Sequence, residues 1–431
     1  MTPTEKTLTR RAGQAGFTVV EVMIALAVFA VVIGAVATTL STALNITRNN
    51  RHRSTAAHLA SQEMDVVRST DFTTLPLGLV QSNVSVDGID YTVRRESAWV
   101  IQGGTTDPCT SPGGSVPAYM RITVGVTWPN MSGTLPVQSQ TVVSPPVGAF
   151  SSTSGHIGVK VFDRDAAPAA GHVVRITGPV LSSQATTTDG CAFFAYLPPG
   201  AYTVALDTPA HVDGQGIPTP SQPASVTVGN TTSIQFDYDR EAALDLALTG
   251  QFGGTIPAGV PVTLGNTKLL PTGTKSFPGT GSPRSIGGLF PYADGYQVWA
   301  GDCVQADPEG QRPGGAGAYY PGASRDPALV VSPGQTTSGT VRMGTAIVTV
   351  ERQGLPLSGV VVMARHAPDD GCSGGNLLTL GTTGPLGQLQ TALPYGDWQY
   401  EVTGQTPTGQ WPTEILDPEQ TSPDLVLVQV Q

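Results

Sequence analysis

The sequence predicts an α+β module, one long N-terminal helix with an antiparallel sheet, followed by three all-β sandwiches. Three observations predict it. Between Phe17 and Leu40 the chain carries one charge, Glu21, and no proline interrupts residues 17–75, so a helix that starts in the apolar stretch can run well past it. After Pro76 the chain becomes short alternating segments broken by turn residues, in keeping with 52 Gly and 36 Pro in 431 residues. A loose repeat of roughly 100 residues then fills the rest, the size of one small sandwich.

Composition narrows the function classes. Only 13% of the residues are charged, too few for long charged helices or a coiled-coil body. Gly and Pro show no strict period, which excludes a collagen-like chain. The formal charge is −10 and the pI about 5.0, so no basic surface is on offer to phosphates and nucleic acid binding is not indicated.

Residues 1–16 are polar, carry Lys6, Arg10 and Arg11, and end in Ala15-Gly16. Residues 17–40 are long enough to span a bilayer core. A secretory signal peptide cut after Ala35-Val36-Ala37 is one reading, but the apolar stretch outruns the usual 7–15 or so residues. A carboxylate such as Glu21 costs about 2.5–3.5 kcal/mol at a bilayer centre, and a plain anchor leaves it without a purpose. Arg48, Arg51 and Arg53 follow the stretch, so both flanks are basic and charge does not set the orientation. Beyond it, Ala56, Leu59, Ala60, Met64 and Val67 recur at spacings of three and four, on one helix face. A helix over 17–68 is roughly 75 Å long. His52 and His58, six apart, face different sides of it.

The run Gly16-Phe17-Thr18-Val19-Val20-Glu21 resembles the N-terminus of type IV prepilins and type II secretion pseudopilins. The resemblance implies that a prepilin peptidase removes residues 1–16 by cutting after Gly16, and that Phe17 becomes N-methylated. It also implies that Glu21 pairs with the amino terminus of a neighbouring subunit once the helix leaves the membrane for a filament. The N-terminus would be cytoplasmic, the protein single-pass, and its bulk outside the cell. Ala56, Ala57, Leu59, Ala60, Met64, Asp65 and Arg68 resemble the same part of minor pilins and I-type minor pseudopilins.

Residues 69–147 then read as a compact pilin-like head. Alternation predicts strands at 82–95, 119–128 and 137–143, with a Gly/Ser/Thr-rich loop around Cys109 between the first two. The head ends at Pro145-Pro146, and 148–155 is a linker. The sandwiches are placed at 156–239, 240–343 and 344–431. Each copy opens on a strand, a Pro and a Gly-Val or near equivalent: Pro168 with Gly171, Pro257 with Gly259-Val260, Pro356 with Gly359-Val360. Each later enters a Tyr-x-Val strand at Tyr202, Tyr296 or Tyr400. The first copy, with Thr188-Asp189-Gly190 before Phe193-Phe194, resembles the carboxypeptidase-regulatory-like or collagen-adhesin-B-type sandwich, an Ig-like, prealbumin-like fold. The other two resemble it less.

Some sandwiches of that kind form a Lys–Asn isopeptide bond. Lys160 lies in the right strand, but no Glu falls in 155–238 and no Asn ends the last strand, so Lys160 reads as a solvated strand residue. His156, His172, His211 and His366 are scattered without zinc-ligand spacing. Asp163, Asp165, Asp207 and Asp213 would bind calcium only if loops brought them together. No nucleophile elbow, phosphate loop or dinucleotide fingerprint is present, so no enzyme, cofactor or metal is expected. Of the four cysteines, sequential pairing joins Cys109 to Cys191 and Cys303 to Cys372, each bond crossing modules; four cysteines allow three pairings.

The expected function is a non-enzymatic minor pilin-like subunit of a type IV pilus-type filament, its sandwiches exposed for adhesion to a surface or matrix ligand. Expected partners are prepilin peptidase, other pilin subunits, pilus assembly proteins and the membrane. A pseudopilin priming a type II secretion-like or DNA-uptake machine is one alternative. A membrane-anchored surface protein that never assembles is the other.

Overall fold

A computed structural model of the protein describes residues 18–72, 75–101, 108–110, 117–131, 134–145, 153–367, 372 and 377–431. Two compact units divide them. The first holds the chain up to Leu75 with Gln81–Arg95 and Ile122–Thr141; the second holds Pro76–Val80, Glu96–Arg121 and Val142–Gln431.

In the first unit the helix α1 runs Val19–Ser69. Thr18 caps it, its hydroxyl accepting from the Glu21 N–H at 3.3 Å, which satisfies one of the orphan donors of the first turn. At the other end Thr70 turns extended, and Arg68 lies in the last turn, where a cation suits the helix dipole. The face at Ala56, Ala60 and Met64 packs on Tyr91, Val93, Val124, Val126 and Trp128. Two alanines at 0% exposure let strand side chains close directly on the helix backbone.

The strands of the head are β1 (Gly78–Val86), β2 (Ile89–Ile101), β3 (Pro117–Thr127) and β4 (Val137–Val143). Where alternation predicts one strand over 82–95, the chain makes a hairpin. Asp87 and Gly88 have φ of 52° and 75°, the two positive values that a tight two-residue hairpin turn requires and an Asp-Gly pair supplies. The apolar alternation simply resumes after the turn. The division between units passes through β1, β2, β3 and β4.

The second unit contains eight strands of a first sandwich: β5 (Gly155–Phe162), β6 (Val173–Thr177), β7 (Ser182–Ala185), β8 (Cys191–Leu197), β9 (Gly200–Leu206), β10 (His211–Asp213), β11 (Ser221–Val226) and β12 (Thr231–Arg240). One layer is ordered β11-β9-β6-β7 and the other β10-β12-β5-β8. Ile157, Val159, Val174, Ile176, Val204 and Phe236 fill the space between them. Gly78 pairs in parallel with Ala185, and there a Cβ would meet the Ala185 carbonyl oxygen at 2.0 Å. Only glycine fits that approach.

The next strands are β13 (Ala242–Gly250), β14 (Val262–Gly265), β15 (Thr274–Phe277), β16 (Arg284–Leu289), β17 (Gln297–Ala300) and β18 (Thr336–Arg352). Then come β19 (Leu355–Pro356), β20 (Val361–His366), β21 (Leu378–Thr382), β22 (Gln388–Leu393), β23 (Gly396–Val402), β24 (Thr413–Leu416) and β25 (Asp424–Val430). Small sheets β15-β14-β17 and β21-β20-β23-β24 share an apolar core with one six-stranded sheet, in which β18 joins β13 and β16 to β19, β22 and β25. One topological device recurs three times: the first strand of a sandwich lies parallel to its last. The pairs are β5 with β12, β13 with the first half of β18, and the second half of β18 with β25. Residues 343 and 344 thus sit inside one unbroken strand, and a single apolar core extends from Leu244 and Leu246 to Val426 and Val428.

Candidate assembly helix and braced sandwiches

The N-terminal half of α1 is the first candidate. An 18-residue window of it has a mean hydropathy of 2.8, and none of that window is buried. Val19, Met23, Phe29 and Val31 all stand exposed. A continuous apolar surface of this size is unstable in water and needs a bilayer or other chains to cover it. Glu21 lies one turn into this half, held to Thr18 by its backbone. Gly16 and Phe17, the expected processing residues, lie outside the described residues.

Further along, the helix changes partners. His52, half-buried, places its Nδ1 2.8 Å from the Tyr91 hydroxyl and its ring 6.2 Å from that of Trp128, whereas His58 is exposed. A recess of about 400 Å³ opens beside them, lined by Leu44, Arg48, Arg51, Val86 and Ile89. The guanidinium of Arg95 on β2, buried, donates to Glu63 on the helix at 2.7 Å.

The sandwiches are cross-braced. Disulfides join Cys109 to Cys191, with Cα atoms 5.8 Å apart, and Cys303 to Cys372, with Cα atoms 5.4 Å apart. Cys191 opens β8. The first bond lies against the backbone of β5, where a Cβ on Gly158 would come 2.9 Å from the Cys109 Cα. Cys303 precedes a one-turn 3₁₀ segment, Val304–Ala306, and Cys372 follows β20, so the second bond links the last two sandwiches. Arg325 braces the same region with two hydrogen bonds to Asp307, at 2.7 and 2.6 Å, and a stack on Trp299.

Several single-residue expectations meet a different environment. Lys160 is not solvated: it is 7% exposed, with its ammonium 5.8 Å from the Phe162 ring centre. On the same face of β5 the backbone of Pro108 and Cys109 lies against Gly158, so the outward positions are covered too. The aspartates are not gathered. Asp163 accepts from the N–H groups of Asp165 and Ala167, Asp213 from those of Gln215 and Ile217, each closing its own turn, and Asp207 reaches Arg175. The histidines are less scattered than their numbering suggests. His172 and His211 have ring centres 4.9 Å apart, and His366 comes to Cys303 and Cys372. Burial pushes His156 down to about 4, and burial, with His211 as a second cause, does the same to His172. These neighbours come from different strands or modules, so sequence spacing holds no signal for them.

One further cavity, of about 230 Å³, lies in the last two sandwiches between Tyr319, Tyr320, Arg312, Asp397, Asp417 and Glu419. Arg312 stacks on Tyr319 at 5.0 Å.

Residues 11–37 match the family described as the prokaryotic N-terminal methylation motif, so the chain carries a prepilin-type N-terminus. No curated protein matches the chain. Among solved structures it is similar to the TIE protein of Bacillus anthracis (10% identity, 87% of this chain and 78% of that one, TM-score 0.21). It is also similar to GBS52, the minor pilin of Streptococcus agalactiae (14% identity, 44% and 95%, TM-score 0.19). A third similar structure is BcpA, the major pilin subunit of Bacillus cereus (10% identity, 64% and 99%, TM-score 0.19).

Proposed function

We propose that this chain is a non-enzymatic, minor pilin-like subunit of a type IV pilus-type filament, with its sandwiches carried outside the cell for adhesion or interaction. The observation that carries this reading is the coincidence of the methylation motif at 11–37 with a helix whose apolar first half is covered by none of the described residues. A prepilin peptidase cuts after Gly16 and the new Phe17 terminus is methylated. The helix waits in the membrane and then packs among neighbouring helices. Glu21 sits four residues into the mature chain, placed for the amino terminus of the next subunit. Sandwiches of this bulk crowd a filament made of one subunit alone, which supports a minor over a major role. The loops of rigid sandwiches are the natural contact surface for a cell-surface or matrix ligand.

Mass spectrometry of membrane-extracted protein tests the first step. The expected N-terminus is methylated Phe17; a mature chain beginning at Thr38 refutes the reading in favour of a signal peptide. Ending the chain after Pro146 tests the second. Filaments that persist while adhesion is lost support the proposal. Lost filaments or blocked secretion, with isolated sandwiches that bind nothing, assign the chain to a priming pseudopilin. A chain that stays in the membrane uncut, with no subunit partners, is a plain surface anchor.

A further inference from the structure

The two disulfides differ in what surrounds them. Among the described residues no third metal-ligating side chain joins Cys109 and Cys191, whereas Cys303, Cys372 and His366 place one ligand atom each within 4.8 Å of one another. The side chain of His366 is 8% exposed, and its Nδ1 has no hydrogen-bond partner among the described residues. The space in front of it is kept open by Gly396. A Cβ there would stand 3.3 Å from that Nδ1 and 3.2 Å from the Oε1 of Gln305, and the same Oε1 lies 3.7 Å from the Cys372 Sγ. Two sulfurs and an imidazole nitrogen therefore lie together beside an amide oxygen. Cys303 is partly exposed, so a reductant can reach the bond.

We infer that Cys303, Cys372 and His366 form a Cys₂His site for a divalent metal ion of the zinc class once their disulfide is reduced. A dithiol reductant delivers two electrons and two protons: the Sγ–Sγ bond breaks, two thiols form, and the reductant leaves as its own disulfide. Metal binding then releases both thiol protons to solvent and makes two metal–sulfur bonds and one to the imidazole. The geometry is within reach, because zinc–sulfur bonds of about 2.3 Å and zinc–nitrogen bonds of about 2.0 Å need only small movements from the present cluster. Three protein ligands leave a fourth position open, facing Gln305. The module junction would thus be held by a covalent bond when oxidised and by a metal when reduced.

Cobalt(II) is the probe, added to the detergent-solubilised full chain after reduction and removal of the reductant. The expected result is one cobalt per chain, with thiolate charge-transfer absorption and the intense visible bands of a tetrahedral site, displaced by zinc. The oxidised chain should show neither. His366→Ala keeps all four thiols and should bind cobalt about tenfold more weakly or worse; removing the other pair, as Cys109→Ser with Cys191→Ser, should leave the spectrum intact. Circular dichroism and thiol counting on each reduced sample establish that it is folded with its thiols free. A folded, reduced chain without the cobalt spectrum overturns the inference, as does a spectrum unchanged in His366→Ala.

Discussion

Along α1, Val31 is 73% exposed while Ala56 and Ala60, some seven turns later, are 0% exposed. Both stretches are helical and both are rich in apolar residues. The first carries its apolar groups all round; the second confines them to one face and meets β2 and β3 there. A helix that is greasy all round has its solvent elsewhere, in a bilayer or among other subunits, whereas an amphipathic one is completed by its own chain. The difference separates residues that the described chain leaves uncovered from residues that serve its folding, and variants on either side should not share phenotypes.

The strongest test on the folding side is Trp128→Ala. It empties the centre of the core under the second half and should cost about 3–5 kcal/mol, read as a lowered thermal midpoint of the full chain in detergent. On the assembly side, Glu21→Ala should leave that midpoint unmoved and the leader still removed. Losing a charge pair in an apolar interface, worth about 3 kcal/mol, should cut incorporation into filaments by about two orders of magnitude, measured by immunoblot of sheared filaments. Normal incorporation would remove the proposed pairing.

Glu63→Ala probes the seam between helix and sheet. It strands the buried Arg95 guanidinium, and because Glu63 itself keeps some solvent, the expected loss is about 1–3 kcal/mol by denaturant titration. Acid should act on the first sandwich. His156 and His172 titrate lower in the fold than the usual 6.5, so the unfolded chain binds more protons between about pH 6.5 and about 4. Stability is therefore full above that window and declines as pH falls through it, by about 1–3 kcal/mol after solvent screening, with little further change from these groups below. A stability curve flat from pH 7 to 4 would show that other groups compensate. The smallest effect belongs to Val31→Ala, which should stay within about 0.5 kcal/mol of wild type, since none of the described residues packs there.

Much of this was legible in the chain because it is periodic and local. The helix needed only spacings of three and four and a missing proline, and the buried face at Ala56, Ala60, Met64 and Val67 is the one those spacings predict. The strands at Met120 to Trp128 and Val137 to Val143 followed from alternation. The β1–β2 turn did not, because alternation resumes on the other parity at Ile89 and Tyr91 after Val84 and Val86, and both the one-residue slip and the Asp87-Gly88 turn chemistry were passed over. The burial of Lys160 depends on a distant segment, at Pro108 and Cys109, lying on the outward face of β5, which periodicity does not encode. The cluster of His366 with both cysteines is tertiary: its members stand 63 to 69 residues from Cys303 and come from separate sandwiches. Gly16, Phe17 and Glu21 are read by motif alone.

The parallel neighbours at the ends of each sandwich have a mechanical consequence. A pull that enters at Gly155 and leaves at Gln431 drags each first strand one way and its last strand the other, along their common length. The ladders then bear the load in shear, with seven aligned residue pairs in β5–β12, eight in β13–β18 and seven in β18–β25. Hydrogen bonds loaded in shear yield together, whereas those at the mouth of a hairpin yield one at a time. Because only Glu241 separates β12 from β13, and β18 serves two sandwiches without a break, tension passes from one to the next through strand rather than loop. The stack is built like a tether, stiff under traction, with no slack at its joints to be drawn out first.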